Sequence, residues 1–341
     1  MLYLHGLGHF HPENVITNQF LEDLDIGTSN DWVLERVGIR ERRTSLPLDY
    51  ISETKNIDTR AAYEASNYTN AQTGAAAARQ ALAQAGIAPG DIGLVISGSS
   101  APDHVTPSEA ATVAAELEIE ATCFDINAAC ATFGVQLSFL SKMRPESLPP
   151  YVLVVNPENL TRCIDYSDRN TAVLFGDGSA AAVVSATIPS RLRLRESDCA
   201  SKPASWQKAV IPRTGYFQQD GNAVQGFAIR KMTEAVRALQ ETYDERKEGE
   251  KDNHTHHNGN GGRLIFVGHQ ANLGVLSTVC ERTAISDGCH WRNVTMFGNT
   301  GCSGAPAVVS QHWQDLEPGD CLIMALVGAG LTWSTLMWQM S

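Results

Sequence analysis

The eight cysteines of this chain include no Cys-x-x-Cys pair and no zinc-ligand spacing. Several sit inside apolar runs, so they read as free thiols of a reducing cytoplasm rather than as a disulfide or metal framework. Nowhere do 18 apolar residues follow one another, which removes the signal for a membrane-spanning helix. Met1-Leu2-Tyr3-Leu4-His5-Gly6 lacks both a basic segment and a small-residue cleavage site, so export is not expected. Positive charge is also short: 26 Lys and Arg face 38 Asp and Glu, a net charge of −12. Such a field attracts neither nucleic acid nor an anionic membrane. What is present is a chain of 341 residues, 43% hydrophobic, enough to bury the core of one large domain or of two.

Strand and helix patterns alternate along it. Leu2 to Gly8 alternates as a strand, and Asn18 caps a helix through Leu24. Thr28-Ser29-Asn30-Asp31 caps a second helix, carrying Trp32 and Arg36 and ending near Gly38. The alanine-rich stretch from Thr73 to Gly86 is a strong helix with a glycine stop. Asp91 to Gly98 is an apolar run expected of a strand buried on both faces, Cys123 to Asn127 returns as the strand before Cys130, and Tyr151 to Val155 is another buried strand. Pro107 suits the first turn of a helix reaching about Leu117. Ala172 to Ser185 reads as two strands around the turn Gly176-Asp177-Gly178. Arg191 to Gly221, irregular and mixed in charge, reads as a loop or short strands over a site, and Ala223 to Arg246 as a long amphipathic helix. A polar insertion at 247–262 follows; its His254, His256 and His257 fall in a Gly/Asn-rich stretch ill suited to holding a metal. This alternation predicts an α/β chain with a largely parallel sheet.

The second half repeats the plan of the first. Gly93-Leu-Val-Ile-Ser-Gly98 has the character of Leu264-Ile-Phe-Val-Gly-His269, and Asn127-Ala-Ala-Cys130 that of Asn299-Thr-Gly-Cys302, at offsets of 171 and 172 residues. Two halves, 1–185 and 186–341, with pseudo-two-fold symmetry are expected. Their strand ends would meet at one site that gathers Cys130, His269 and Asn299.

Each of the three is ordinary alone: a small buried hydrophobe, a histidine after a strand, a turn asparagine. Together they offer a nucleophile and two donors, as a thioester-processing site needs. Cys130 falls where strand gives way to helix, so free N–H groups and the helix dipole are expected to favour its thiolate near neutral pH.

At these residues the chain resembles the β-ketoacyl-acyl-carrier-protein synthase III enzymes of the thiolase superfamily. Asp125-Ile-Asn-Ala-Ala-Cys-Ala131 resembles the family's nucleophile motif, His269-Gln-Ala-Asn272 its histidine motif and Gly298-Asn-Thr300 its asparagine motif. The resemblance implies a thiolase-like fold, with duplicated αβ halves in a five-layer αβαβα arrangement, and a homodimer. It implies that Cys130 takes an acyl group from coenzyme A or an acyl carrier protein, and that a malonyl thioester then loses carbon dioxide and condenses to a 3-ketoacyl thioester. His269 and Asn299 would hold the enolate oxygen; Cys130 and Ala329 would supply the backbone oxyanion hole, although the family often has glycine at 329. Trp32 and Arg169 match the adenine clamp, Arg36 the nucleotide-contacting arginine and Asn272 a further coenzyme A contact. Neither metal nor resident cofactor is implied, the thioesters being substrates.

Three departures accompany the match. The basic carrier-docking patch is thinned, with Gly274 for an arginine and Glu281-Arg282 for a lysine pair, which points to secondary metabolism. Asn156-Pro157-Glu158 replaces a small-residue turn. Thr106 stands where the head-to-head condensing enzymes carry a glutamate base, leaving Glu109 as the alternative base for a condensation without decarboxylation. Acyl transfer to an alcohol or amine, cysteine hydrolysis and a non-catalytic partner subunit are the competing readings. Retention of Asn299 opposes transfer, retention of Cys130, His269 and Asn299 together opposes a non-catalytic subunit, and the ending Gly328-Ala-Gly-Leu-Thr-Trp333 has no reason to exist in a hydrolase.

Overall fold

A computed structural model describes residues 1–252 and 262–341. Its centre is a mixed sheet of nine strands: β1 (Tyr3–Phe10), β2 (Ile92–Ser97), β3 (Thr122–Asp125), β4 (Tyr151–Glu158), β5 (Gly178–Ser185), β6 (Leu192–Ser201), β7 (Leu264–Gly268), β8 (Cys321–Gly328) and β9 (Thr332–Met340). The order across it is β7-β8-β9-β6-β1-β5-β4-β2-β3. Only two residue pairs, Tyr3 with Arg193 and Leu4 with Leu192, join β1 to β6 at the middle. Outward from that seam the pairing repeats. On each side the first strand runs antiparallel to the second and the second antiparallel to the third, while the third and fourth are parallel.

Period-two burial explains the unbroken apolar runs. Leu94, Ile96, Val152, Val154, Ile265, Val267, Leu322, Met324 and Leu326 point into a middle layer. Val95, Leu153 and Val155 face one outer layer and Phe266, Ile323, Ala325 and Val327 the other. Helices Thr132–Lys142 and Gly304–Gln311 fill the middle, each touching strands of both halves. Asn70–Ala85 and Glu109–Glu116 cover the first half, Gly221–Asp252 and Leu273–Thr283 the second. Five layers, αβαβα, result. Among the described residues no helix is long and apolar enough to cross a membrane.

Local expectations change at four places, and the sheet expected to be largely parallel is mixed, with most of its strand pairs antiparallel. Leu192–Ser201, in the stretch read as a loop or short strands, is one ten-residue strand, the seam strand of the second half. Ala172 to Phe175 is not a strand, since Arg169–Ala172 is a short helix. Gly176-Asp177-Gly178 is a hub: the buried Asp177 carboxylate accepts from the N–H and hydroxyl of both Ser45 and Thr161 at 2.7 to 2.8 Å. The long helix continues to Asp252, and the expected insertion with His254, His256 and His257 lies largely outside the described residues.

Candidate active site

The parallel strands deliver the site from their carboxyl ends, as open α/β sheets do. Beyond β3 the chain makes an elbow. Asn127 Oδ1 accepts the Ala129 N–H at 2.8 Å while its Nδ2 donates to Ser99 O at 2.8 Å. Thr132 Oγ1 accepts from Ala128 N–H at 2.8 Å and donates to Ala129 O at 2.6 Å. Closing this turn puts Ala129 at φ +49°, a left-handed conformation costly for a residue with a Cβ. Cys130 follows it directly. Gly328, the last residue of β8, lies so close that a Cβ there would sit 2.9 Å from Cys130 N and 2.7 Å from Ala128 O. Glycine is required at 328 for the two strand ends to meet.

His269 follows β7, its N–H donating to Ala325 O at 2.9 Å. Neither ring nitrogen has a partner among the described residues, and burial alone pushes its pKa down to about 4. The imidazole is therefore neutral at pH 7. Asn299 is zipped to the first half by two backbone bonds, its N–H to Leu174 O at 2.8 Å and Gly176 N–H to its O at 3.1 Å. Its Oδ1 accepts the Gly301 N–H at 3.0 Å, which leaves the amide Nδ2 as a donor for a ligand.

Cys130, His269, Asn299 and Ala329 all line one cavity of about 1290 Å³. The same cavity reaches Trp32, Arg36 and Asn272. Arg169 is not among its lining residues, but its guanidinium lies 5.1 Å from the Trp32 ring centre, with that of Arg36 at 5.6 Å. Trp32 and Arg169 thus stand at stacking distance from each other. Arg169 is anchored by a 2.6 Å bond to Gly27 O. Asn272 caps the helix Leu273–Thr283, its Oδ1 accepting from Val275 N–H at 2.9 Å, and only its Nδ2 is left for a ligand.

The expected low thiol pKa does not hold. The helix begins at Thr132, two residues past Cys130, and its cap Ala131 is already helical. Although Cys130 offers some surface to the cavity, its sulfur is enclosed; burial first and the nearby Glu158 second push the thiol up to about 12, against a smaller lowering by its own N–H. Glu109 is not at the site either. Its buried carboxylate accepts from Asn70 Nδ2 at 2.6 Å beside the Arg162–Asp103 ion pair, and it is not among the cavity's lining residues.

Sequence reasoning missed the apolar wall of the cavity, formed by Ile211, Phe217, Phe227 and Ala228 together with Phe175 and Leu331. Ile211 and Phe217 come from the turn-rich sequence before the helix, which carried no periodic signal, whereas Phe227 and Ala228 lie on the first turns of the long helix, whose apolar face was legible but not what it faces. Glu158 was also missed as part of the site. It ends β4 fully buried, and a carboxylate just past the apolar run Val152 to Val155 was the available clue.

Known proteins resemble this chain over its whole length. Residues 124–203 match the family model of 3-oxoacyl-[acyl-carrier-protein (ACP)] synthase III, and residues 264–340 match that of its C-terminal part. The β-ketoacyl-[acyl-carrier-protein] synthase III of Chlamydia pneumoniae is 28% identical, over 97% of this chain and 94% of its own. That of Aquifex aeolicus is also 28% identical, over 97% of each. The crystal structure of 3-oxoacyl-[acyl-carrier-protein] synthase III from Aquifex aeolicus superposes with a TM-score of 0.83 at 26% identity, covering 99% of this chain and 100% of the other.

Proposed function

The chain belongs to the 3-oxoacyl-[acyl-carrier-protein] synthase III family of acyltransferases, and from that membership we propose that it loads an acyl group onto Cys130 from a coenzyme A or carrier thioester and condenses it with a malonyl thioester. The observation that carries this reading is one cavity lined by a thiol from the first half and a neutral imidazole and free carboxamide from the second.

In loading, Cys130 Sγ bonds to the thioester carbonyl carbon as the bond to the departing sulfur breaks. With the thiol held near 12, its proton leaves as the new bond forms and ends on the departing thiolate. The tetrahedral oxyanion is assigned to the backbone N–H groups of Cys130 and Ala329. In the second step the malonyl carboxylate leaves as carbon dioxide and its bonding pair passes to the thioester oxygen. His269 N–H and Asn299 Nδ2–H stabilise that oxygen, and because the imidazole is neutral it donates a hydrogen bond without surrendering a proton to the enolate. The enolate carbon attacks the acyl carbonyl, the bond to Cys130 breaks, and the sulfur recovers a proton from water. No metal or resident cofactor takes part in this scheme.

Trp32, Arg36, Arg169 and Asn272 are assigned to the nucleotide and pantetheine arm of the donor. Gly274 opens its helix without a charge, so an acidic carrier finds little attraction there and coenzyme A thioesters are the favoured substrates. The edge strand β3, largely exposed and with Phe124 at its surface, is where a second copy would extend the sheet into a homodimer. The test is incubation with a panel of acyl-coenzyme A thioesters, reading the adduct on Cys130 by intact-protein mass, followed by carbon dioxide release from malonyl-coenzyme A. An adduct on Cys130, together with release that is lost in Asn299→Ala, supports condensation. Equal release by both proteins overturns the role of Asn299, and transfer to an alcohol or amine with no release overturns condensation.

A further inference from the structure

Glu158 lies beneath the site, and the chemistry above makes no use of it. Its Oε1 accepts three donors: Ser100 N–H at 2.9 Å, Ser100 Oγ–H at 3.0 Å and Cys302 Sγ–H at 3.0 Å. Its Oε2 is equally buried and accepts none among the described residues. An ionised carboxylate spreads its charge over both oxygens, so a bare buried oxygen is costly; the acid form carries its proton there instead. The donors come from the two loops that flank the reaction. Ser100 follows Ser99, whose carbonyl holds Asn127 of the elbow, and Cys302 follows Asn299 by three residues. Between them Gly301 packs so tightly that a Cβ would lie 2.9 Å from Glu158 Cδ.

We propose that Glu158 is a positioning and charge-setting residue for Cys130: it ties the Ser100 loop to the Asn299 loop, and Cys130 ionises while Glu158 keeps its proton. This rests on Cys130 being the nucleophile. The titratable groups that feel the charge of Glu158 are Cys130, Cys302 and Cys163. On neighbouring elements Arg162 is turned to Asp103 and Asn70, Asp177 is bonded to Ser45 and Thr161, and Glu109 to Asn70. Burial raises the ionisation of Glu158 to about 7. Below that pH, base draws the thiol proton with Glu158 neutral; above it, the proton is lost from Glu158 instead, and the thiolate population stops rising.

The test is the rate of iodoacetamide labelling at Cys130, followed by peptide mass mapping from about pH 6 to 9 in wild type and Glu158→Gln. The glutamine keeps an acceptor for Ser100 and Cys302 but carries no charge. Wild-type labelling is expected to climb and then flatten, gaining less than about threefold between about pH 7 and 8.5, whereas the variant gains about 30-fold over the same span. Superimposed profiles overturn the proposal. Absence of labelling at Cys130 in the wild type, with other cysteines reacting, would instead remove the nucleophile reading and this proposal with it. Should Glu158→Gln not fold, Cys302→Ala serves: losing one donor to Oε1 raises the ionisation of Glu158, so the break in the profile moves to higher pH, and an unmoved break overturns the proposal. Glu158→Ala also loses the tie between loops, and its carbon dioxide release is expected to fall at least about tenfold below that of Glu158→Gln; equal release overturns the positioning role.

Discussion

The elbow at 127–130 and its counterpart at 299–302 are one turn used twice. In each an asparagine Oδ1 accepts the N–H two residues on, at 2.8 Å from Ala129 and 3.0 Å from Gly301. In each that third residue is left-handed, φ +49° at Ala129 and +57° at Gly301, and a cysteine follows. What differs is where the remaining groups go. Asn127 spends its Nδ2 on Ser99 O and leaves the thiol of Cys130 facing the cavity. Asn299 keeps its Nδ2 free among the described residues, while the thiol of Cys302 is turned away to Glu158 and Gly98 O, outside the cavity lining. Duplication supplied two equivalent turns. Division of labour then came from which polar group each turn left without a protein partner, since a satisfied group has nothing to offer a substrate.

The largest effect expected from this contrast is in the thiols. Cys130→Ala should abolish the acyl adduct by intact-protein mass, whereas Cys302→Ala should keep loading within about threefold of wild type at pH 7, because it removes one of three donors to a group behind the site. A second adduct, mapped to Cys302, would break the comparison. Next come the asparagines. Asn299→Ala should lower carbon dioxide release from malonyl-coenzyme A by about 100- to 1,000-fold, the loss usual for one oxyanion donor. Asn127→Ala should instead slow loading of Cys130 by loosening its elbow, with release less affected. If both variants failed at the same step, the division of labour would be wrong. A pH series sharpens the second point. With His269 neutral down to about 4, release should stay flat from about pH 6 to 8 and fall only as acid protonates the ring.

The legible parts of this fold are those written as local pattern. Unbroken apolar runs marked β2, β4 and β7, and the repeated Asn-x-x-Cys and strand-His segments marked three residues that line the cavity. The parts that were not legible depend on what lies opposite. Only Leu192 and Leu194 of β6 are deeply buried; the rest of it pairs with β9 and takes its strand form from that partner, not from its own Arg, Glu and Ser residues. Asp177 has the look of a turn aspartate until Ser45, more than a hundred residues away, is brought to it. Asn156-Pro157-Glu158 looks like a turn but continues β4, because it pairs with Ala180, Ser179 and Gly178 of β5, while Asn156 Nδ2 donates to Gln136 and Gly98 and Glu158 Oε1 accepts from Ser100 and Cys302. The Cys130 pKa belongs to the same class. The strand-to-helix junction was visible, but the position of the first helical residue and the carboxyl beneath the sulfur were not.

The smallest expected difference separates the two elbows themselves. Both third residues are left-handed, so the elbow that already carries alanine bears a strain that the glycine elbow avoids. Ala129→Gly removes a Cβ from a conformation it disfavours but frees the unfolded chain, and these nearly cancel; stability in urea should change by less than about 1 kcal/mol. Gly301→Ala adds the same strain, about 1 to 2 kcal/mol, and also forces a Cβ to within 2.9 Å of Glu158 Cδ, where the carboxyl is pinned by three donors and cannot yield. A loss of about 2 to 4 kcal/mol is expected, together with displacement of Asn299 and a fall in carbon dioxide release. If the two substitutions proved equally mild, Glu158 would not be wedged between the loops, and the second elbow would owe its glycine to backbone conformation alone.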